Sequence, residues 1–302
     1  MLRWLPMPLA VAATFLVMLM ALLFVVLGLL VPGIVVKLLI PIPAFRRIVT
    51  RYLIFSASLW TGANCLIYRA LLPVRWQIDL PAGLDPQRSY LIISNHQSWA
   101  DILILFDVFY RRTPWLRFFM KQELIWVPLI GLVCWGMDFP FMKRHSREAI
   151  ERNPALAMQD LETTRLFCER YRGEPITVVN FLDGTRFTQS KRVTRKSPFR
   201  HLLRPKAAGM SFTLNAMGEQ FGGIIDVTIC YRPHPRGPLW SFLGGRQPDI
   251  VIKAQLRPIE REWLAGDYQG DAAFREHFQQ VVNGWWTEKD AELERLKLHW
   301  DR

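Results

Sequence analysis

The apolar positions of this chain follow different patterns in different parts of the sequence. From Trp4 to Val36 no residue is charged, and apolar residues follow one another without periodicity. Such a run exceeds the roughly 20 residues that cross a hydrocarbon core. It predicts a helix from about Leu9 to Val31, bracketed by Pro6, Pro8, Pro32 and Gly33. A second uncharged stretch, Tyr52 to Tyr68, is shorter and interrupted by Gly62 and Asn64. It suits a second span, an interfacial helix or a buried one. The loop between them carries Lys37, Arg46, Arg47 and Arg51 and no acid, which keeps it on the cytoplasmic side. One spanning or leaflet-embedded helix followed by an interfacial helix satisfies both observations and makes residues 1–72 a membrane anchor. A cleaved signal peptide fits less well, because the apolar core is too long and no small-x-small site follows it.

Beyond residue 72 the pattern changes to short strands and amphipathic helices. Arg75 to Leu80 alternates, while Ser89 to Ser94 is continuously apolar, as in a buried parallel strand. A helix is predicted from there to about Tyr110, a strand over Trp115–Lys121 and an apolar helix over Glu123–Trp135. Further strands are predicted over Phe139–Lys143, Ile176–Phe181 and Gly223–Tyr231, with helices over Asn153–Tyr171 and Ala207–Gly218. Strands alternating with helices predict an α/β fold with a largely parallel sheet flanked by helices, over residues 73–255. From about Glu260 the sequence is polar and helical, so residues 256–302 read as a C-terminal helical extension.

Composition sharpens this picture. Of 302 residues 51% are hydrophobic and mean hydropathy is +0.10, both high for a soluble protein. Cys65, Cys134, Cys168 and Cys230 are widely spaced and form no Cys-x-x-Cys, so they read as buried single thiols without a metal or disulfide frame. The net charge of +12 is uneven: Gly184 to Gly218 contains no acid but holds Arg186, Lys191, Arg192, Arg195, Lys196, Arg200, Arg204 and Lys206. The membrane segment argues against nucleic acid as the partner, and no aromatic-basic nucleic-acid motif is present. Anionic lipid headgroups remain for Lys191–Lys196, beside the plainer reading of a solvated loop.

Candidate chemistry centres on Asn95-His96-Gln97-Ser98-Trp99-Ala100-Asp101, where a buried strand hands over to a helix. With His96 in the loop and Asp101 in the first helical turn, the imidazole takes a proton from a hydroxyl while the carboxylate orients it. Ser98 is then the helix N-cap. The same residues admit a plainer reading, in which Ser98-x-x-Asp101 is a near capping box and His96 a loop residue. Arg144 and Arg186 each follow a strand predicted near His96, and their planar forks suit a phosphate monoester. Gly184 allows close backbone approach and Thr185 offers a hydroxyl.

These segments together resemble the 1-acylglycerol-3-phosphate acyltransferase family. The likeness runs through Asn95-His96-x-x-x-x-Asp101, Gly136-Met137-Asp138-Phe139-Pro140-Phe141-Met142-Lys143-Arg144, Phe181-Leu182-Asp183-Gly184-Thr185-Arg186 and the strand near Ile224–Ile229. The stretches Asp226-Val227-Thr228 and Glu288-Lys289-Asp290 are similar to the branch that includes lysocardiolipin acyltransferase. Asp183 stands where the family has Glu, one methylene shorter, and Asp226 stands near the place of a proline in bacterial lysophosphatidate enzymes.

The resemblance implies an integral membrane acyltransferase with His96 and Asp101 catalytic. It implies that Arg144, Asp183, Gly184, Thr185 and Arg186, with Lys206 from a neighbouring segment, bind the glycerophosphate. The expected reaction moves an acyl group from acyl-CoA or acyl carrier protein to the sn-2 hydroxyl of 1-acylglycerol-3-phosphate, without cofactor or metal. A bacterial inner membrane with a cytoplasmic catalytic domain is the expected location. The alternatives are a remodelling enzyme for lysophosphatidylglycerol or lysocardiolipin, and an inactive lipid-binding protein.

Overall fold

The computed structural model describes residues 4–40, 42–143 and 155–300. Its centre is a six-stranded sheet of β1 (Arg75–Asp79), β2 (Ser89–Ser94), β3 (Leu116–Phe118), β6 (Thr177–Phe181), β7 (Phe221–Tyr231) and β8 (Asp249–Arg257). The order is β1-β8-β7-β2-β6-β3. Neighbours run parallel except β7 and β8, which are antiparallel. The expected α/β fold with a largely parallel sheet is therefore present. Every residue of β2 is buried, because both faces of the sheet are covered. Tyr90 and Ile92 join one apolar layer, and Leu91 and Ile93 join the other.

The first layer is built by α1 (Met7–Val25), α2 (Val31–Leu39), α3 (Pro43–Leu71) and α4 (Ala100–Phe109). Helices α1 and α2 join through a π turn at Val26–Leu30 into one 33-residue rod. Pro32 explains the turn: it has no N–H, and its ring displaces the carbonyl four residues earlier, at Gly28. The rod is long and apolar enough to cross a membrane, yet both its ends touch the α/β domain. Arg246 Nη2 donates to Leu5 O at 2.9 Å, and a Cβ on Gly244 would sit 3.0 Å from Met7. At the far end Lys37 Nζ donates to Gly136 O at 3.0 Å and to Asp138 Oδ2 at 2.5 Å. Arg46, Arg47 and Arg51, expected in a loop, lie on α3, which runs unbroken through the second uncharged stretch.

Three other expectations change. The strand expected over Trp115–Lys121 is two strands: β3 joins the main sheet, and β4 (Met120–Lys121) pairs with β5 (Phe141–Met142). The helix expected over Glu123–Trp135 is a 3₁₀ turn, Gln122–Trp126, followed by α5 (Ile130–Gly136). Pro128 lacks the N–H that a continuous helix needs there. Strand β8 was not expected; it runs through residue 255 and pairs with both β1 and β7.

The opposite layer holds α6 (Ala155–Arg170), α8 (Ala208–Met217), α10 (Arg261–Ala265) and α11 (Ala272–Trp300), while α7 (Gln189–Thr194) and α9 (Gly237–Leu243) lie in connections. Phe278, Val282, Trp286 and Leu293 of α11 are wholly buried. The segment expected as a polar extension thus supplies part of the core, through one face of a helix that carries most of its charged and polar residues elsewhere.

Candidate active site

Strand β2 ends at Ser94, and its next residue fixes the loop. Asn95 Nδ2 donates to Ile229 O at 2.9 Å while its Oδ1 accepts from Ile229 N at 2.9 Å. This two-way bond to β7 sets the direction in which His96 leaves the sheet. The His96 ring stacks on Phe181 at 4.1 Å between centroids, and Gln97 Nε2 also donates to Ile229 O, at 2.9 Å.

His96 Nδ1 lies 2.7 Å from Asp101 Oδ2. A carboxylate only accepts, so the bond holds the imidazole proton on Nδ1 and leaves the lone pair on Nε2. Asp101 is wholly buried at the start of α4. Its carboxylate also accepts from Gln97 N at 2.6 Å, Ser98 N at 2.9 Å and Tyr231 Oη at 2.5 Å. Ser98 is not the N-cap; Trp99 holds that position. The carboxylate of Asp101 itself organises the turn, while Ser98 Oγ accepts from Ala100 N at 3.2 Å. Burial and the neighbouring carboxylate push Tyr231 well above its ordinary value, so it stays a donor.

The turn after β6 lies beside this loop: Phe187 N donates to His96 O at 2.7 Å. Asp183, expected among the substrate contacts, is instead wholly buried. Its Oδ2 accepts from His96 N at 2.8 Å and its Oδ1 from Leu203 N at 3.1 Å. The shorter side chain suffices because its partners are backbone groups drawn up to it. Burial raises its pKa to about 7, against the pull of those two N–H groups, Trp286 and Lys289.

Gly184 has φ +66°, a conformation that favours glycine. A Cβ there would meet Lys206 Cδ at 3.2 Å, which places Lys206 against the same turn. Lys191 Nζ donates to Thr185 Oγ1 at 2.8 Å and to Arg186 O at 3.0 Å. Desolvation and the charges of Arg186 and Arg195 hold Lys191 below its ordinary value. The Arg186 guanidinium lies 5.1 Å from the centroid of the Trp99 ring, which ties it to the His96 loop. Thr185, Arg186, Lys191 and Lys206 thus gather around one exposed turn next to the imidazole. Arg144 lies outside the described residues.

Several residues of this arrangement carried no expected role. Tyr231 closes the fourth-block strand in the same alternation as Val227 and Ile229. Lys289 falls on the apolar stripe Phe278, Val282, Trp286, Leu293, where a lysine is out of place. Its Nζ lies 2.6 Å from Asp226 Oδ1 and donates to Val227 O at 2.6 Å and Thr228 Oγ1 at 3.1 Å. The two segments noted for their branch likeness are therefore in contact.

The acyltransferase family model matches residues 76–232, just over half of the chain and all of the geometry above except α11. The chain belongs to this acyltransferase family. The 1-acyl-sn-glycerol-3-phosphate acyltransferase gamma of Mus musculus is 25% identical over 179 residues, covering 53% of this chain and 45% of the relative. The 1-acyl-sn-glycerol-3-phosphate acyltransferase 3 of Arabidopsis thaliana is 26% identical over 220 residues, with 68% and 53% covered. A 2-acyl-1-lysophosphatidylinositol acyltransferase of Saccharomyces cerevisiae is 23% identical over 245 residues, with 67% and 60% covered. The chain thus spans about half the length of the curated relatives it matches. The crystal structure of the 1-acyl-sn-glycerophosphate acyltransferase PlsC from Thermotoga maritima shares the fold. Its TM-score is 0.50 at 16% identity, over 91% of this chain and 94% of that one.

Proposed function

We propose that this acyltransferase is membrane-bound and moves a fatty acyl group from acyl-CoA or acyl carrier protein to the sn-2 hydroxyl of 1-acylglycerol-3-phosphate. The observation that carries this is the His96–Asp101 pair set beside the cationic turn Thr185–Arg186. His96 Nε2 takes the hydroxyl proton as the oxygen attacks the thioester carbonyl. Asp101 stabilises the imidazolium. The tetrahedral intermediate then collapses, the C–S bond breaks, and the departing thiolate takes the proton from Nε2. Arg186 and Lys191 neutralise the phosphate, Thr185 and the Gly184 turn complete its surroundings, and Arg144 joins them in this reading. Asp183 acts from below, by holding the His96 and Leu203 backbone. No side chain needs to form an acyl-enzyme, since the thioester is already activated.

The membrane reading rests on the α1–α2 rod. Phe15, Leu16, Met20 and Phe24 are 57–75% exposed on its outer side, and Ile48, Phe55 and Leu66 are similarly exposed on α3. Both rod ends touch one domain, which favours a helix lying in one leaflet over one that crosses. Arg46, Arg47 and Arg51 fit the cytoplasmic face of a bacterial inner membrane, and Lys191–Lys196 fit anionic headgroups.

A second acceptor class has support of its own. Contact between Lys289 and Asp226–Thr228 joins the two segments similar to the lysocardiolipin branch, which favours a remodelling reaction on lysophosphatidylglycerol or lysocardiolipin. Acyl transfer in isolated membranes, wild type against His96→Ala, tests the chemistry with lysophosphatidic acid and an oleoyl thioester. Product from wild type alone supports the reading, and full activity in His96→Ala sinks it. Preference for a diester lyso-acceptor moves the assignment to remodelling. Lipid binding without turnover across the panel leaves only a binding protein.

A further inference from the structure

The segment between β4 and β5 breaks the usual rule of burial. Trp126 is 85% exposed, Ile130 46%, Trp135 45% and Leu132 40%. The 3₁₀ turn Gln122–Trp126 buries none of its residues. From Leu124 to Met137 no residue is charged. An apolar surface of this kind needs an occupant. The segment is firmly built: a Cβ on Gly131 would lie 2.0 Å from Ile125 O, so turn and helix are pressed together. Its inner side is anchored, with Gly131, Cys134 and Gly136 buried.

Its place in the fold selects the occupant. A Cβ on Gly136 would meet Ile34 of α2 at 2.3 Å, and Lys37 binds Gly136 O and Asp138. The exposed residues of the segment therefore continue the apolar outer surface of the rod at Val35, Leu38 and Leu39, which are 46%, 53% and 74% exposed. Charge returns at its base, at the Lys121–Glu123 pair, and at Lys37–Asp138. Two tryptophans on an uncharged tip above a charged base suit the boundary between headgroups and acyl chains.

We infer that residues 124–136 dip into the same lipid leaflet as the rod, as a separate membrane contact of the catalytic domain. This rests on the membrane reading of α1–α2. Helix α5 runs directly into the second sequence block at Gly136–Met142, so insertion of the tip fixes the height of that block relative to the phosphate plane.

The test uses the full chain in vesicles of phosphatidylethanolamine and phosphatidylglycerol. Trp126→Cys and, separately, Phe15→Cys are labelled with an environment-sensitive maleimide; Cys65, Cys134, Cys168 and Cys230 are all buried. Quenching of both probes by doxyl lipids, with shielding from iodide, supports the insertion. Quenching at position 15 with iodide access at 126 overturns it and leaves the membrane reading standing. Iodide access at both sinks the two together. A probe at 126 shielded from iodide yet untouched by doxyl lipids marks a protein contact and also overturns the proposal.

Discussion

Lys289 Nζ lies 2.6 Å from Asp226 Oδ1, and both side chains are 2% exposed. Burial lowers the Lys289 pKa, and Asp226 opposes that shift. The ammonium also satisfies Val227 O and Thr228 Oγ1, so it clamps α11 to the strand that holds Asn95. Taking one partner from a buried pair typically costs 3–5 kcal/mol. Arg257 Nε, 2.9 Å from Asp226, remains to share the charge. Lys289→Met should therefore destabilise by about 3 kcal/mol, the lower end of that range, read as a denaturation midpoint in detergent. Lys289→Met with Asp226→Leu should recover part of the loss; a double variant worse than the single one contradicts the pairing.

Asp183 gives a pH dependence with a defined sign. Its folded value, about 7, stands above the ordinary 3.8 because burial penalises the carboxylate. The folded state then binds more protons than the unfolded one between those values. The contribution of this group is fully present below 3.8 and fades as pH rises through 7. Wild type should lose stability relative to Asp183→Asn between about pH 4 and pH 7, seen as converging or crossing Tm curves. Parallel curves over that window would remove the raised pKa. Asp183→Asn should also cut activity, because its amide nitrogen meets a backbone N–H where an acceptor is needed.

Much of this was legible from pattern. The unbroken apolar run Tyr90–Ile93 announced a strand buried on both faces, and the acid after His96 announced the turn at its end. What escaped depended on contacts distant in sequence. Strand β8 carries Lys253 and Gln255 in a nine-residue strand paired on both sides, and its polar positions mask the run Ile250–Ile252. Asp183 looked like a ligand contact because sequence shows a carboxylate but not the N–H groups of His96 and Leu203 converging on it. The burial of Lys289 was not legible because its segment reads as polar, and only its spacing from Phe278 and Trp286 hints at a place on the buried face. That both ends of the rod touch the α/β domain, through Arg246 at one end and Lys37 at the other, depends on contacts distant in sequence, which hydropathy does not encode.

Tyr231 should act through Asp101. Its hydroxyl donates to Oδ1 at 2.5 Å, on the oxygen that does not face His96. Tyr231→Phe leaves the ring and the burial but removes a hydrogen bond to a charged group, worth about 1.5–3 kcal/mol. If the carboxylate must stay aligned on Nδ1 in the transition state, kcat falls about tenfold or more while KM for the acceptor holds. A rise in KM with kcat unchanged would place Tyr231 outside the proton-transfer machinery.

Arg186 should matter in the opposite way. It stands on the exposed turn, held over Trp99, with Lys191 on its carbonyl. As a phosphate contact it binds ground state and transition state alike, so its loss belongs in KM. Arg186→Ala should raise KM for lysophosphatidic acid about tenfold or more, the scale of one charge-assisted hydrogen bond. Arg186→Lys should recover part of that, since a point charge replaces the fork. The effect should be larger for lysophosphatidic acid, a monoester that can carry two negative charges, than for lysophosphatidylglycerol, a diester with one. Equal effects on both acceptors would mean that the guanidinium reads bulk negative charge at the membrane surface and not the monoester in the site.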